Sequence, residues 1–339
     1  MDGTANGTAA PITLDGVGKT YPDGTVAVGA LSLDIPAGEL VVLIGPSGSG
    51  KSTVLRMINR LIEPSNGRIL LDGTDIETVG TVELRRRIGY VIQHIGLFPH
   101  QTVQNNVATV PKLLGWSRSR TDARVSELLS LVGLDPGRYA RRYPHELSGG
   151  QQQRVGVARA LAADPVVLLM DEPFSAVDPI VRVRLQDEFQ RLQEAVRKTI
   201  VLVTHDMDEA VRLGDRVAVL SEGGKLEQYA TPAQLLASPA NEFVREFVGA
   251  DRGIKRLTVT PIPLDALRPL STVDGYGPSV PASATMRDAL AALLDGGTGW
   301  VAVNDPNGQP LGVLTATEIA RAGLSSATQG GQSDDPADE

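Results

Sequence analysis

A chain of 339 residues, 42% hydrophobic and 21% charged, has the make-up of a globular protein with room for one large domain and a small one. A net charge of −8 with 4% aromatic residues argues against a nucleic-acid binder, which shows a basic face and stacking aromatics. With no cysteine, disulfides, thiolate metal sites and a cysteine nucleophile are excluded; no apolar run approaches the ~20 residues that cross a bilayer.

Residues 1–10 are small and polar, which predicts disorder, and they lack the basic and apolar regions of a secretion signal. The expectation is a cytoplasmic chain that works on a membrane only through partner chains. From about residue 11 to 250, apolar strands alternate with helical segments, as in an α/β protein with a parallel sheet covered on both faces. The strand Leu40–Ile44 runs into Gly45-Pro46-Ser47-Gly48-Ser49-Gly50-Lys51-Ser52-Thr53, followed by a helix to about Leu61. This is the phosphate-binding pattern G-x-x-x-x-G-K-[ST], in the strand–loop–helix setting that it requires. Glycines let the backbone curl so that successive N–H groups point at one spot, and the helix N-terminus adds partial positive charge there. Lys51 is placed to reach the outer phosphates of ATP, and the Ser52 hydroxyl to ligate Mg²⁺.

Further along, the strand Ile88–Ile92 ends at Gln93. Ser148, Gly149, Gly150 and Gln151 open a helix, making a second anion-binding terminus. The strand Val166–Met170 ends in Asp171 and Glu172. Asp171 is placed for the Mg²⁺ shell, and Glu172 to polarise a water for attack on the γ-phosphate. Two solvated charges at a strand end are the competing reading of that pair taken alone. A helix runs from its cap Asp178 through Pro179 to about Val196. The strand Ile200–Thr204 ends at His205. Residues 251–282 read as a proline-rich linker, 283–325 as a small βαββα-like α+β unit, and 326–339 as an acidic disordered tail.

The phosphate loop, then Leu147-Ser148-Gly149-Gly150-Gln151, then the acidic strand stand in the order of the ABC transporter ATPases, and residues 11–250 resemble that family. The resemblance implies a P-loop NTPase fold with a helical signature subdomain. It also implies a head-to-tail homodimer in which Ser148, Gly149, Gly150 and Gln151 contact the γ-phosphate of ATP held by the second copy. Tyr21 falls where the family stacks an aromatic on adenine, a surface tyrosine being the competing reading. Gln93 matches the glutamine that senses Mg²⁺ and the attacking water, and His205 the switch histidine on the γ-phosphate. Residues 175–178, ending in Asp178, match the loop that speaks across the dimer. His94, His100 and His145 fall in loops and read as solvated or structural.

One phosphate loop, no coiled-coil insertion after Gln93 and no fused membrane span point within the family to a free-standing importer subunit. Arg56-Met57-Ile58-Asn59-Arg60, the run from Arg87 to His100 and Thr102-Val103-Gln104-Asn105-Asn106-Val107 resemble the importers of glycine betaine, choline, carnitine and proline. In that group selectivity rests with transmembrane permease partners and, indirectly, a substrate-binding receptor, and the ATPase sits on the cytoplasmic face. An importer of methionine or a polyamine, or a soluble ATPase of the family, are the alternatives. Met286–Leu290, Gly299–Val303 and Gly312–Ile319 resemble one repeat of a CBS domain, with Glu318 where aspartate is usual. Either two chains pair single repeats, or Leu257–Pro269 is a decayed first repeat.

Overall fold

The computed structural model describes residues 8–93, 96–175, 177–273, 275 and 277–323. The chain divides into two compact units between Tyr229 and Ala230. In the first, β1 (Ile12–Thr20), β2 (Val26–Ile35) and β3 (Leu40–Ile44) lead into α1 (Lys51–Ile58). β4 (Asn66–Leu71), β5 (Thr74–Asp75), α2 (Thr81–Arg87) and β6 (Ile88–Val91) follow. A run of helices comes next: α3 (Val103–Val107), α4 (Thr109–Leu113), α5 (Arg118–Leu131), α6 (Pro136–Tyr139) and α7 (Gly149–Leu161). β7 (Val167–Asp171), α8 (Pro179–Val196), β8 (Thr199–Thr204), α9 (Met207–Leu213), β9 (Arg216–Leu220) and β10 (Leu226–Ala230) close the unit, the division falling inside β10.

Six strands form one sheet in the order β10-β9-β3-β8-β7-β6. β3 pairs in parallel with β8 and β9, and β7 with β6 and β8. β3, β7 and β8 are buried along their whole length, which is why they read as unbroken apolar runs rather than alternating ones. The register sets Ile44 opposite Thr204 and Asp171 opposite Val203. Parallel strands in this register deliver the loops after β3, β7 and β8 to one edge, where open α/β sheets bind ligands. A second, antiparallel sheet has the order β2-β1-β4-β5. Its inward residues Ile12, Leu14, Val28 and Ile69 share a core with Leu55 and Met57 of α1 and with Val201 and Val203 of β8.

The N-terminal expectation needs correction. Residues 1–7 lie outside the described residues, but Ala10, within the segment expected to be disordered, is buried and accepts a 2.7 Å hydrogen bond from Thr199 Oγ1. A small apolar residue preceding β1 is drawn into the core with the strand that it leads.

The second unit holds α10 (Pro232–Ala237), α11 (Glu242–Val248), α12 (Arg252–Val259), β11 (Ser279–Pro281), α13 (Met286–Gly296), β12 (Trp300–Asn304), β13 (Pro310–Thr315) and α14 (Ala316–Gly323). Its sheet has the order β11-β12-β13. Here the linker expected over 251–282 is not an extended connection: it contains α12 and β11. Leu257, Ile262 and Val280 from that stretch are buried with Met286, Val301, Val303, Leu314 and Ile319 in one core. Arg268 exchanges backbone hydrogen bonds with Val313. The prolines are compatible with this because they fall between the short elements. The unit cannot close its core with residues 283–323 alone. The tail 326–339 lies outside the described residues.

Candidate functional site

The loop between β3 and α1 is shaped by two glycines. A Cβ at Gly45 would stand 2.1 Å from the Leu220 carbonyl oxygen, and one at Gly50 2.4 Å from that of Ala27. Gly50 also has φ 79°, a left-handed conformation costly for other residues. No side chain caps α1, so its first-turn amides keep the donor capacity that an anion can use. Lys51 folds back over the loop. Its Nζ donates to the carbonyls of Gly45 and Pro46, both at 2.8 Å, and to Ser49 Oγ at 3.0 Å. Burial pushes the Lys51 ammonium below its ordinary pKa, and the nearby charges of Glu172 and Asp171 oppose that shift.

Ser52, the second residue of α1, donates its hydroxyl to Asp171 Oδ1 at 2.8 Å. Asp171 ends β7; burial pushes its carboxyl above the usual range, with the Ser52 bond and the Arg56 charge pulling it back. Glu172 follows in a left-handed conformation at φ 45°, while its N–H still donates to Val203 at 2.9 Å, continuing the sheet ladder by one residue. That backbone turns the Glu172 carboxylate toward two neighbours. Gln93 Nε2 donates to Oε2 at 2.9 Å, and His205 Nδ1 lies 3.3 Å from Oε1. Ser175 Oγ closes the turn by donating to the Glu172 carbonyl at 2.9 Å.

A cleft of about 780 Å³ runs along this sheet edge, with Ser47, Gly48, Lys51, Ser52, Glu172 and His205 among its walls. The sequence-predicted residues of the phosphate loop, the acidic pair, Gln93 and His205 are thus brought together. The signature residues are not. Ser148 caps α7, its Oγ accepting from the Gln151 N–H at 3.3 Å while Gln151 Oε1 accepts from the Ser148 N–H at 3.0 Å. Gly150 packs under Val181 and Leu185, and Asp178 caps α8 by accepting from the Ile180 N–H at 3.0 Å. None of these lines the cleft, nor does Tyr21, whose ring faces Lys19 Nζ at 5.7 Å. His100 lies beside Phe98 and His145 stacks on Tyr143; His94 falls outside the described residues.

Several residues escaped the sequence reading. Thr25, Val26, Ala27 and Glu222 line the cleft, contributed by the second sheet and by the turn after β9. The residues on either side of His205 in the sequence belong to a hydrogen-bonded cluster. Asp206 Oδ1 caps α9, accepting from the N–H groups of Asp208 and Glu209 at 2.9 and 3.2 Å. Asp206 Oδ2 lies 3.5 Å from Arg182 Nη1, and Arg182 Nη2 donates to the Val177 carbonyl at 3.2 Å. The Thr204 hydroxyl accepts from the Asp206 N–H at 3.0 Å and donates to Glu209 Oε2 at 3.1 Å. Burial raises the Glu209 pKa to about 8. An Asp followed three residues later by Glu is a helix-start signal that was legible. What it hid is that Glu209 turns inward to Thr204 instead of closing a capping box.

Residues 28–175 match the family described as ABC transporter. The glycine betaine uptake system ATP-binding protein YehX of Escherichia coli is 50% identical over 289 residues, covering 85% of this chain and 92% of that protein. The chain belongs to the ABC transporter family, as one of its ATP-binding proteins. The glycine betaine/carnitine/choline transport ATP-binding protein OpuCA of Bacillus subtilis is 57% identical over 244 residues, covering 72% of this chain. This chain spans 64% of that relative's length. Among solved structures, a dimeric ATP-binding cassette in a post-hydrolysis state bound to ADP and Pi matches with TM-score 0.58 and 36% identity, covering 65% of this chain and 98% of that one. The family match spans the phosphate loop, Gln93, residues 148–151 and the acidic pair, and it stops short of His205.

Proposed function

We propose that this chain is the ATP-hydrolysing subunit of an importer for small osmoprotectants of the glycine betaine, choline, carnitine or proline type. The observation that carries the reading is the convergence of Gln93 and His205 on the Glu172 carboxylate, in a cleft also walled by Lys51 and by Ser52, which is bonded to Asp171. Relatives named for glycine betaine, choline and carnitine transport support the cargo.

Lys51 leaves its loop carbonyls to hold the outer phosphates of ATP, with Gly45, Pro46, Ser47, Gly48, Ser49, Gly50 and Thr53 supplying the loop around them. Tyr21 meets the adenine. Glu172 accepts a proton from water as the water oxygen bonds to the γ-phosphorus; the bond to the ADP oxygen breaks and phosphate leaves. Gln93 and His205 orient that carboxylate and the water. The donor set suits Mg²⁺: Ser52 Oγ and Asp171 Oδ1 are adjacent hard oxygens, and Gln93 is bonded to the next residue, Glu172. Among the described residues no group of three or more His, Cys, Asp or Glu forms a protein-only cage, as suits an ion that shares its shell with phosphates. When bound, the ion neutralises charge that develops on the phosphates.

Ser148, Gly149, Gly150, Gln151 and Asp178 stand off their own cleft and complete that of a second copy, so ATP closes a head-to-tail homodimer. Closure drives transmembrane permease partners, with a substrate-binding receptor acting through them and no nucleic acid involved. No helix among the described residues is long and apolar enough to cross a membrane. Attachment is peripheral, to the cytoplasmic face, through those partners. Residues 11–250 are assigned to the ATPase and residues 283–325 to a partial CBS-like module.

The test is Glu172→Gln, assayed for ATP binding, ATP turnover and glycine betaine uptake in cells lacking the chain. Binding should persist while turnover falls about 10³-fold and uptake disappears. Turnover near the wild-type rate would overturn the assignment of Glu172. Uptake unchanged by loss of the chain would overturn the cargo.

A further inference from the structure

The turn that opens α7 is held from outside its own motif. Within it, Gln151 Oε1 accepts from the Ser148 N–H at 3.0 Å, and Ser148 Oγ accepts from the Gln151 N–H at 3.3 Å. The other end of the Gln151 amide leaves the turn: Nε2 donates to the Tyr139 hydroxyl at 3.2 Å. Both ends of the carboxamide are therefore committed, and flipping it would set Nε2 against the Ser148 N–H, donor against donor.

Tyr139 is placed by polar and local interactions. Asp135 caps α6 by accepting from the Gly137 N–H at 3.0 Å, and Pro136 presets the first turn. The helix buries none of its residues, so a hydrophobic core does not account for where the tyrosine stands. The guanidinium groups of Arg138 and Arg142 lie 5.3 and 5.0 Å from its ring centroid, a cation–π arrangement that orients the ring. The backbone just beyond it is tied to α3: the Ala140 and Arg142 carbonyls accept from the N–H groups of Gln104 and Val103 at 2.9 and 2.8 Å. A connected path of bonds thus runs from the start of α3 through Tyr139 and Gln151 to Ser148.

We infer that Tyr139 is a positioning residue for the turn at 148–151, holding it in the shape that meets ATP on a second copy of the chain. The inference rests on the head-to-tail homodimer proposed above. In that dimer the turn offers three donors to the phosphates. Two are the N–H groups of Gly149 and Gly150, which the first turn of a helix leaves without an intrahelical acceptor. The third is the Ser148 hydroxyl, whose oxygen accepts within the turn and whose O–H can still donate. Donors fixed in advance of the ligand bind a developing or standing charge without first being reorganised. The Gln151 amide, anchored at Tyr139, fixes the Ser148 backbone from which all three project. Tyr139 itself touches no nucleotide and acts through Gln151.

The experiment follows ATP-driven dimerisation of the full chain by analytical ultracentrifugation in the Glu172→Gln variant, with and without Tyr139→Phe. Tyr139→Phe removes the hydroxyl alone. It should raise the protein concentration of half-dimerisation about ten-fold, since each dimer loses one neutral hydrogen bond at each of its two turns. Binding of a fluorescent ATP analogue to the monomer, at low protein concentration, should not change. With Glu172 intact, turnover of Tyr139→Phe should fall at low protein concentration and return to the wild-type rate at high. A merely destabilised chain would not show that recovery. Gln151→Met should match Tyr139→Phe, and the two together should do no more than either alone. A dimer left unshifted by Tyr139→Phe would overturn the inference and leave the homodimer standing. So would an equal loss of ATP affinity in the monomer, or additive effects of Tyr139→Phe and Gln151→Met. If Glu172→Gln forms no dimer with ATP, the homodimer reading falls and this inference falls with it.

Discussion

Glu209 in the first unit and Glu318 in the second show opposite ways of placing a carboxyl group. Glu209, in the first turn of α9, has one hydroxyl donor, from Thr204, and among the described residues its second oxygen has no partner. Burial dominates and its pKa rises to about 8, so the acid is neutral through most of the physiological range. Glu318 opens α14. Burial also pushes it up, but the Thr315 hydroxyl and N–H and the Arg268 guanidinium donate to it, and the balance falls to about 2. The lesson is that donor count, not burial alone, decides charge. The first unit tolerates a costly neutral acid beside its chemistry, whereas the second uses a charged one to tie Arg268 and Thr315 to α14.

This contrast can be tested from its strongest side downward. Lys51→Met should weaken ATP binding about a hundred-fold by removing charge-assisted bonds to the phosphates, read by nucleotide titration. The melting behaviour of the small unit's core should not change. Arg182→Met should lower the turnover number about ten-fold with little change in KM, because it frees Asp206 and the segment ending at Val177 without touching ATP. Arg182→Lys should restore part of it. Loss of ATP affinity in that variant would show that the cluster flanking His205 holds substrate rather than positions the histidine.

Glu209→Gln sharpens the comparison through pH. A carboxyl raised from 4.5 to about 8 on folding favours the folded state fully below pH 4.5, and that advantage is lost as pH rises toward 8. The wild type should therefore lose stability between pH 5 and 8 from this group, and Glu209→Gln should flatten that slope in thermal melts. Glu318→Gln should act in the opposite sense and less. Its charged form stabilises above pH 4.5, and this contribution is lost as pH falls toward 2. The variant should cost about 1 kcal/mol at neutral pH and progressively less as pH falls toward 2, measured by denaturant unfolding across pH.

What the sequence determined by itself were the features that local rules govern. β3, β7 and β8 are legible because a parallel strand buried on both faces must be apolar at every position. The phosphate loop is legible because Gly45 and Gly50 occupy places where a Cβ would overlap a carbonyl oxygen, at 2.1 and 2.4 Å, so other residues are excluded. Helix starts at Ser148 and Asp178 follow from side chains that accept from the first-turn amides. The tertiary structure alone decided which of these meet. Gln93, Glu172 and His205 are separated by scores of residues and are joined only by the parallel register that aligns three strand ends. The Arg182–Asp206 bridge, the inward turn of Glu209 and the use of Leu257 and Ile262 in the second core depend on what packs against them. A proline-rich stretch looks like a linker until a neighbouring sheet needs its apolar residues, and no local pattern carries that information.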